Sequence, residues 1–207
     1  MAIKPILFNT EMVRAILDGR KSCTRRICKD ANEYVVPDMD FFNADKRTYA
    51  VHNFADQEHT EQLSTAERSC PICPGDILYV RETWYKSPSR YMYRADYSGT
   101  EKFYRDGKEI EMKWHPSIHM PKEAARIWLR VTDVRVERLQ EITLEQICRE
   151  GVEIEYPYVL NGEEKIYAFS NLWNGTVKKS ELDRYGWDAS PWVWVIEFER
   201  CEKPENL

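Results

Sequence analysis

The spacing of apolar positions outlines the chain before any chemistry is considered. Val13, Ile16 and Leu17 recur at i, i+3, i+4 and predict a short amphipathic helix over residues 9–17. Asn9 or Thr10 is placed to cap its start, and Gly19 suits the left-handed position just past its end. A brief apolar run at 6–8 predicts a strand leading into that helix. Residues 29–69 are polar, with scattered aromatics (Tyr34, Phe41, Phe42, Tyr49, Phe54), and read as a long irregular insertion. After the turn Pro74-Gly75-Asp76, Ile77, Tyr79 and Arg81 alternate with Leu78, Val80 and Glu82, which predicts a strand with one buried face.

Further strands are predicted at 91–95 and 126–136, the latter from the alternation of Ile127, Leu129 and Val131, with Asp133 marking a bend. Asp106-Gly107 predicts a turn joining 103–105 to 109–113. Thr143 caps a helix over 143–150 in which Leu144 and Ile147 face inward and Gly151 ends the run. A second late helix is predicted over 168–174 from Phe169, Leu172 and Trp173. The nearly continuous apolar run 191–199 predicts a strand through the centre of a sheet. A leading helix, many strands and two late helices before a closing strand make an α+β fold. The βαβ alternation of a doubly wound sheet is missing.

Composition narrows the class. With 207 residues and 43% hydrophobic content the chain can bury one real core, and a single domain over 1–207 is expected. No run of about 18 apolar residues occurs and no cationic, apolar leader precedes residue 10, so a cytoplasmic protein without a membrane partner is expected. A net charge of −5 argues against nonspecific coating of nucleic acid but is compatible with a local basic cleft. The six cysteines are read as reduced thiols. Cys70-Pro71-Ile72-Cys73 has the spacing of half a zinc site. A full site would need Cys23 and Cys28, or His52 and His59, from a distance, so two thiols in a loop are favoured and no metal or other cofactor is expected.

The densest chemistry lies in Arg20-Lys21-Ser22-Cys23-Thr24-Arg25-Arg26, which holds four cations and two hydroxyls and reads as a basic loop behind the first helix. Such a loop suits a phosphate or a polarised carbonyl; the other reading is a solvated basic turn. Lys21 and Thr24 would point to opposite faces of a straight strand, so they converge only if the chain turns between them. A threonine becomes a nucleophile when a base takes its proton, and a lysine among cations such as Arg20, Arg25 and Arg26 is one such base. Arg81 and Glu82 read either as an exposed ion pair or as cleft residues, with Trp84 and Tyr85 walling a pocket. Trp114 opens a segment, Trp114 to Pro121, that lines a pocket or packs. Metal binding by its His115 and His119 would need a third ligand that the sequence does not supply.

Gly19-x-Lys21-x-x-Thr24-x-Arg26 resembles the GxKxxTxR signature of the ASCH domain, a branch of the PUA-like superfamily. Lys4–Phe8, Pro74–Trp84, Trp114–Pro121, Val131–Gln140 and Trp187–Phe198 are similar, in order, to a phage and prophage group of that family. Segments 28–69 and 152–167 match nothing, and Cys73 departs from a group that usually shows one cysteine near position 70. The resemblance implies a PUA-like curved mixed β-barrel with helices packed at its rim. It also implies a cationic cleft that binds RNA, other nucleic acid or a modified nucleoside. Its substrate-binding candidates are Arg20, Arg25, Arg26, Arg81, Glu82, Trp84, Tyr85 and Trp114. The smallest bacterial members are amidohydrolases that deacetylate N-acetylcytidine with a Lys, a Thr and a later Glu. Lys21, Thr24 and Glu150 fall on those positions and are the catalytic candidates. Glu150 otherwise reads as a solvated residue at an unfavourable helix end. A phage accessory protein acting through protein contacts is the third reading, and the oligomeric state is left open.

Overall fold

The structure is a computed structural model that describes residues 1–31, 33–105, 107–153 and 162–205. In chain order its elements are β1 (Ile3–Leu7), α1 (Thr10–Leu17), β2 (Cys23–Ile27), β3 (Val35–Asn43), β4 (Thr48–Phe54) and β5 (Gln62–Ser69). Then come β6 (Ile77–Arg81), β7 (Trp84–Lys86), β8 (Tyr91–Tyr93), β9 (Phe103–Arg105), β10 (Lys108–Ile110) and β11 (Trp128–Arg138). The chain closes with α2 (Leu144–Arg149), α3 (Glu163–Thr176), α4 (Leu182–Tyr185) and β12 (Trp192–Cys201). The fold is a mixed α+β arrangement of several sheets with a few helices, and no closed barrel occurs among the described residues.

The chain divides into two compact units. The first comprises 1–21, 75–130 and 199–207, the second 22–74 and 131–198. Both are discontinuous, so no polar linker marks the boundary in the sequence. β11 gives Trp128–Arg130 to the first unit and its remainder to the second.

In the first unit β6 lies between β1, which runs parallel to it, and the start of β11, which runs antiparallel. Leu78, Val80 and Leu129 are fully buried, and β6 also buries Ile77 on its other face, so the expected one-sided strand is covered on both sides. α1 follows its sequence pattern. The Asn9 side chain accepts from the Met12 N–H at 2.8 Å, Val13, Ala15 and Ile16 are buried, and Gly19 takes φ 76°. The Arg20 and Lys21 N–H groups then close back on the Ala15 carbonyl, satisfying one of the orphan acceptors that a helix end leaves. β7 pairs with β8, and β9 with β10, as two small antiparallel ribbons. The second is the hairpin expected around Gly107; its other turn residue, Asp106, lies outside the described residues.

In the second unit β12 lies between β11 and β2, which matches the central position expected from its apolar run. Val193 and Val195 are fully buried and pack with Leu139, Ile147, Phe169 and Trp173 beneath α2 and α3. Thr143 caps α2 in a capping box with Gln146. α3 runs from Glu163 to Thr176, longer at both ends than the expected 168–174.

Residues 29–69 are not irregular. They hold β3, β4 and β5 as a three-stranded antiparallel sheet. β5 is exposed along most of its length, so its sequence carries none of the apolar alternation that marks a half-buried strand. β4 supplies the buried side, with Tyr49 and Val51 each 1% exposed and Tyr49 edge-on to Trp194 at 4.9 Å.

Candidate functional site

The segment read as a basic loop is, from Cys23 onward, a strand. β2 pairs antiparallel with β12 in the register Thr24↔Ile196, Arg25↔Val195, Arg26↔Trp194. The apolar period is missing because the strand buries Thr24 and Arg25, at 1% and 3% exposure, in place of aliphatic residues. Strand parity then sorts the side chains. Cys23, Arg25 and Ile27 share the face of Val193 and Val195, while Thr24 and Arg26 share the opposite face with Ile196 and Trp194.

On the first of these faces the Arg25 guanidinium is clamped. Nη1 donates to Glu150 Oε1 at 3.2 Å, and Nη2 donates to Glu137 Oε2 at 3.3 Å and to Gln146 Oε1 at 3.0 Å. Gln146 Oε1 also accepts the Thr143 N–H, so the residue that caps α2 also orients Arg25. The network continues outward. Arg135 bridges Glu137 and Glu197, and Arg149 donates to both oxygens of Glu197 and to the Ser22 hydroxyl. Burial works against the Arg135 cation, but the carboxylates of Glu137 and Glu197 outweigh it and raise its pKa. Burial likewise works against ionised Glu197, and its two arginines reverse the sign and lower it.

On the second face Arg26 Nη1 donates to Thr24 Oγ1 at 2.9 Å and to the Arg25 carbonyl at 2.9 Å. Burial lowers the Arg26 pKa, opposed by the charge of Glu150. A half-buried cation thus holds the threonine hydroxyl through one of its lone pairs, which leaves the hydroxyl proton available for donation. Glu150 itself is 5% exposed at the C-cap of α2. Its unfavourable place at the carbonyl end of the helix is compensated by Arg25.

The remaining candidates belong to the first unit. Lys21 is 3% exposed, with its ammonium 5.5 Å from the Phe8 ring centroid, and Arg20 pairs with Asp18 at 2.9 Å. Arg81 donates to the Ile118 carbonyl. Glu82 is not its partner. The Glu82 carboxylate, 1% exposed, takes a bidentate bond from Arg126, with Nε–Oε1 2.9 Å and Nη2–Oε2 3.0 Å, and Arg126 reaches on to Asp96. Burial pushes Glu82 up despite that pairing. Arg126 is more exposed, at 27%; burial works against its cation, but Glu82 and Asp96 outweigh it and raise it. Trp84 packs on Met120 and Ala124 and forms a two-bond bridge with His115, over whose ring Tyr85 stacks at 6.3 Å. Trp114 meets Tyr97 and Phe103 and lines a cavity of about 420 Å³ with them and Arg94.

Sequence reasoning missed Arg126, Glu137 and Gln146. Gln146 was the accessible one, standing three residues after the capping Thr143. Cys70 and Cys73 are buried thiols in one tight turn, Cys70 donating to the Ile72 carbonyl and Cys73 to the Cys70 carbonyl. No three His, Cys, Asp or Glu side chains gather as a metal site among the described residues, and no helix among them is long and apolar enough to cross a membrane.

Comparison with known proteins adds little. No protein-family profile matches the chain, and no curated protein does. A solved structure titled "Crystal structure of hypothetical protein PH0355" is similar at 15% identity. The alignment covers 97% of this chain and 100% of that one, with a TM-score of 0.36.

Proposed function

We propose that the chain is an ASCH-type, PUA-like module that binds nucleic acid or a modified nucleoside, with Thr24 and Arg26 of β2 as recognition groups. The observation that carries this reading is the Arg26–Thr24 hydrogen bond, 2.9 Å long, on a strand that buries polar side chains where packing alone calls for aliphatic ones. Buried polar groups of this kind are retained where they recognise or react. The Arg25 charge is balanced by Glu137 and Glu150, so it holds the strand rather than a phosphate. With one arginine committed to structure, the segment suits a single base or nucleoside better than a continuous polyanion. Recognition then rests on hydrogen bonds to a planar polar edge.

A second reading, hydrolysis of an N-acylated nucleoside, draws on the same bond. A guanidinium held against Thr24 Oγ1 eases deprotonation of that hydroxyl. In the set that the resemblance implies, Thr24 would attack the acyl carbonyl as Lys21 takes its proton, the amine would leave with that proton, and water would then release the acyl group from Thr24; Glu150, held by Arg25 on the Val193–Val195 side of β2, is left out of that step. Turnover and binding of N-acetylcytidine, measured beside binding of single-stranded RNA and DNA, separate the two. In the binding reading Lys21→Arg keeps the charge and is tolerated, while Thr24→Ala weakens nucleoside binding about tenfold. In the hydrolase reading both substitutions abolish turnover, since a guanidinium does not act as a base in this range, and Thr24→Ala still binds the product. Unchanged binding and turnover in Thr24→Ala would remove both.

A further inference from the structure

The second unit contains a cavity of about 490 Å³ that shares no residue with the β2 site. Tyr34, Tyr185 and Trp192 line it together with the cations Arg138 and Arg184 and the carboxylates Glu33 and Asp183. From this lining we infer a nucleotide-binding site: a cavity that takes a planar heteroaromatic base carrying an anionic phosphate.

The rings and cations are arranged as such a ligand requires. The Arg138 guanidinium carbon lies 4.5 Å from the Trp192 ring centroid, and that of Arg184 lies 4.9 Å from the Tyr185 centroid. Each cation therefore lies over an aromatic ring that lines the cavity. Guanidinium groups so oriented present planar donor edges to a phosphate, and the rings offer faces on which a base stacks. Arg138 is fixed further by donation from Nη1 to the Ser190 carbonyl at 3.3 Å. Tyr34 is 44% exposed at the mouth, just ahead of β3, and its hydroxyl accepts from Gln57. Asp183 adds an acceptor for an exocyclic amine or a ribose hydroxyl. A purely apolar ligand would desolvate two guanidinium groups without compensation, whereas a nucleoside monophosphate matches the rings and the cations together. The volume lies within the range of small-ligand pockets.

The test is calorimetric titration of the whole chain with cytidine and adenosine 5′-monophosphates. Cytidine and ribose 5-phosphate serve as arms lacking one half of the ligand. At least one nucleotide is expected to bind, and both half-ligands to bind at least tenfold more weakly. Tyr34→Ala and Arg184→Gln remove a stacking face and a cation at exposed positions and should each weaken binding about tenfold. A single-stranded RNA hexamer separates a free nucleotide from a strand: a hexamer that binds more tightly, with the same losses in the variants, makes the occupant a nucleotide within RNA. No binding of either nucleotide at millimolar concentration overturns the inference, as does binding that Tyr34→Ala and Arg184→Gln leave unchanged. Thr24→Ala keeps failures apart. If it abolishes nucleotide binding while Tyr34→Ala does not, the ligand sits on β2 and the cavity site is wrong. If Tyr34→Ala acts and Thr24→Ala has no effect on any nucleoside, the cavity stands and the β2 reading falls.

Discussion

Removing Arg126 tests how strongly the first unit depends on one buried carboxylate. In Arg126→Met the guanidinium 4.0 Å from the Tyr93 ring centroid is lost, and Glu82, 1% exposed, loses both donors at 2.9 and 3.0 Å. Breaking a buried pair from one side costs about 3–5 kcal/mol, because an uncompensated charge stays behind. The exposed Asp96 contact adds about 0–1 kcal/mol at most. Protonation sets a ceiling. Glu82 escapes the penalty by taking up a proton, which costs about 1.4 kcal/mol for each unit by which the pH exceeds its folded pKa. The sign follows from linkage. Glu82 is already raised by burial, and losing Arg126 raises it further. The folded variant then binds a proton that the unfolded chain has released, so its stability falls as pH rises through the folded pKa.

Urea unfolding at pH 7.5 should therefore show a loss of about 3 kcal/mol that shrinks clearly at pH 5.5. The double variant Glu82→Leu/Arg126→Met should recover most of the loss, since an apolar pair of similar volume is often neutral in place of a buried ion pair. A loss under about 1 kcal/mol, equal at both pH values, would show that Glu82 is solvated and refute the reasoning.

Two further outcomes follow from the second unit. Arg25→Met takes from the 5%-exposed Glu150 its donor at 3.2 Å and should cost about 3 kcal/mol in the same assay; Glu150→Gln, which leaves Glu137 and Gln146 on Arg25, should cost about 1–2 kcal/mol. A Glu150→Gln loss equal to that of Arg25→Met would mean that Glu137 contributes nothing. For the thiols, burial pushes Cys70 up to about 12 and Cys28 up to about 11, so alkylation at pH 8 should reach Cys148 first and Cys201 next. Cys23, Cys28, Cys70 and Cys73 should label only on unfolding, as read by mass spectrometry, and fast labelling of any of them in the folded chain would contradict their burial.

The elements legible in the sequence were those whose cause is local. α1 carried its cap, its apolar face and its terminating glycine within ten or so residues, and α2 did the same with Thr143 and Gly151. The closing strand announced its centrality through apolar continuity. What stayed hidden depended on partners far along the chain. β3–β5 build a sheet from residues that are mostly solvated, and exposure leaves no period to read. The Glu82–Arg126 pair spans 44 residues, so the sequence offered Arg81 as the nearer but wrong partner. The division into two units is invisible because each is assembled from separated segments.

β2 shows why the candidate site was half legible. The sequence displays Arg25 and Arg26 as equivalent adjacent cations, and a motif reading counts both toward a ligand. A strand cannot treat neighbours alike, because consecutive side chains leave on opposite faces. Pairing with β12 in a fixed register sends Arg25 to the Val193–Val195 side, where α2 and Glu137 have carboxylates waiting, and sends Arg26 to the side of Thr24. A one-residue slip would exchange those roles and bury Arg26 against the helical core. The capping box of α2 guards against that slip. Gln146 is held by the Thr143 N–H and in turn holds Arg25, so helix cap, strand register and the orientation of Thr24 are set by one chain of hydrogen bonds. A substitution at Gln146, distant in sequence from Thr24, is therefore expected to act on the Thr24–Arg26 face through Arg25.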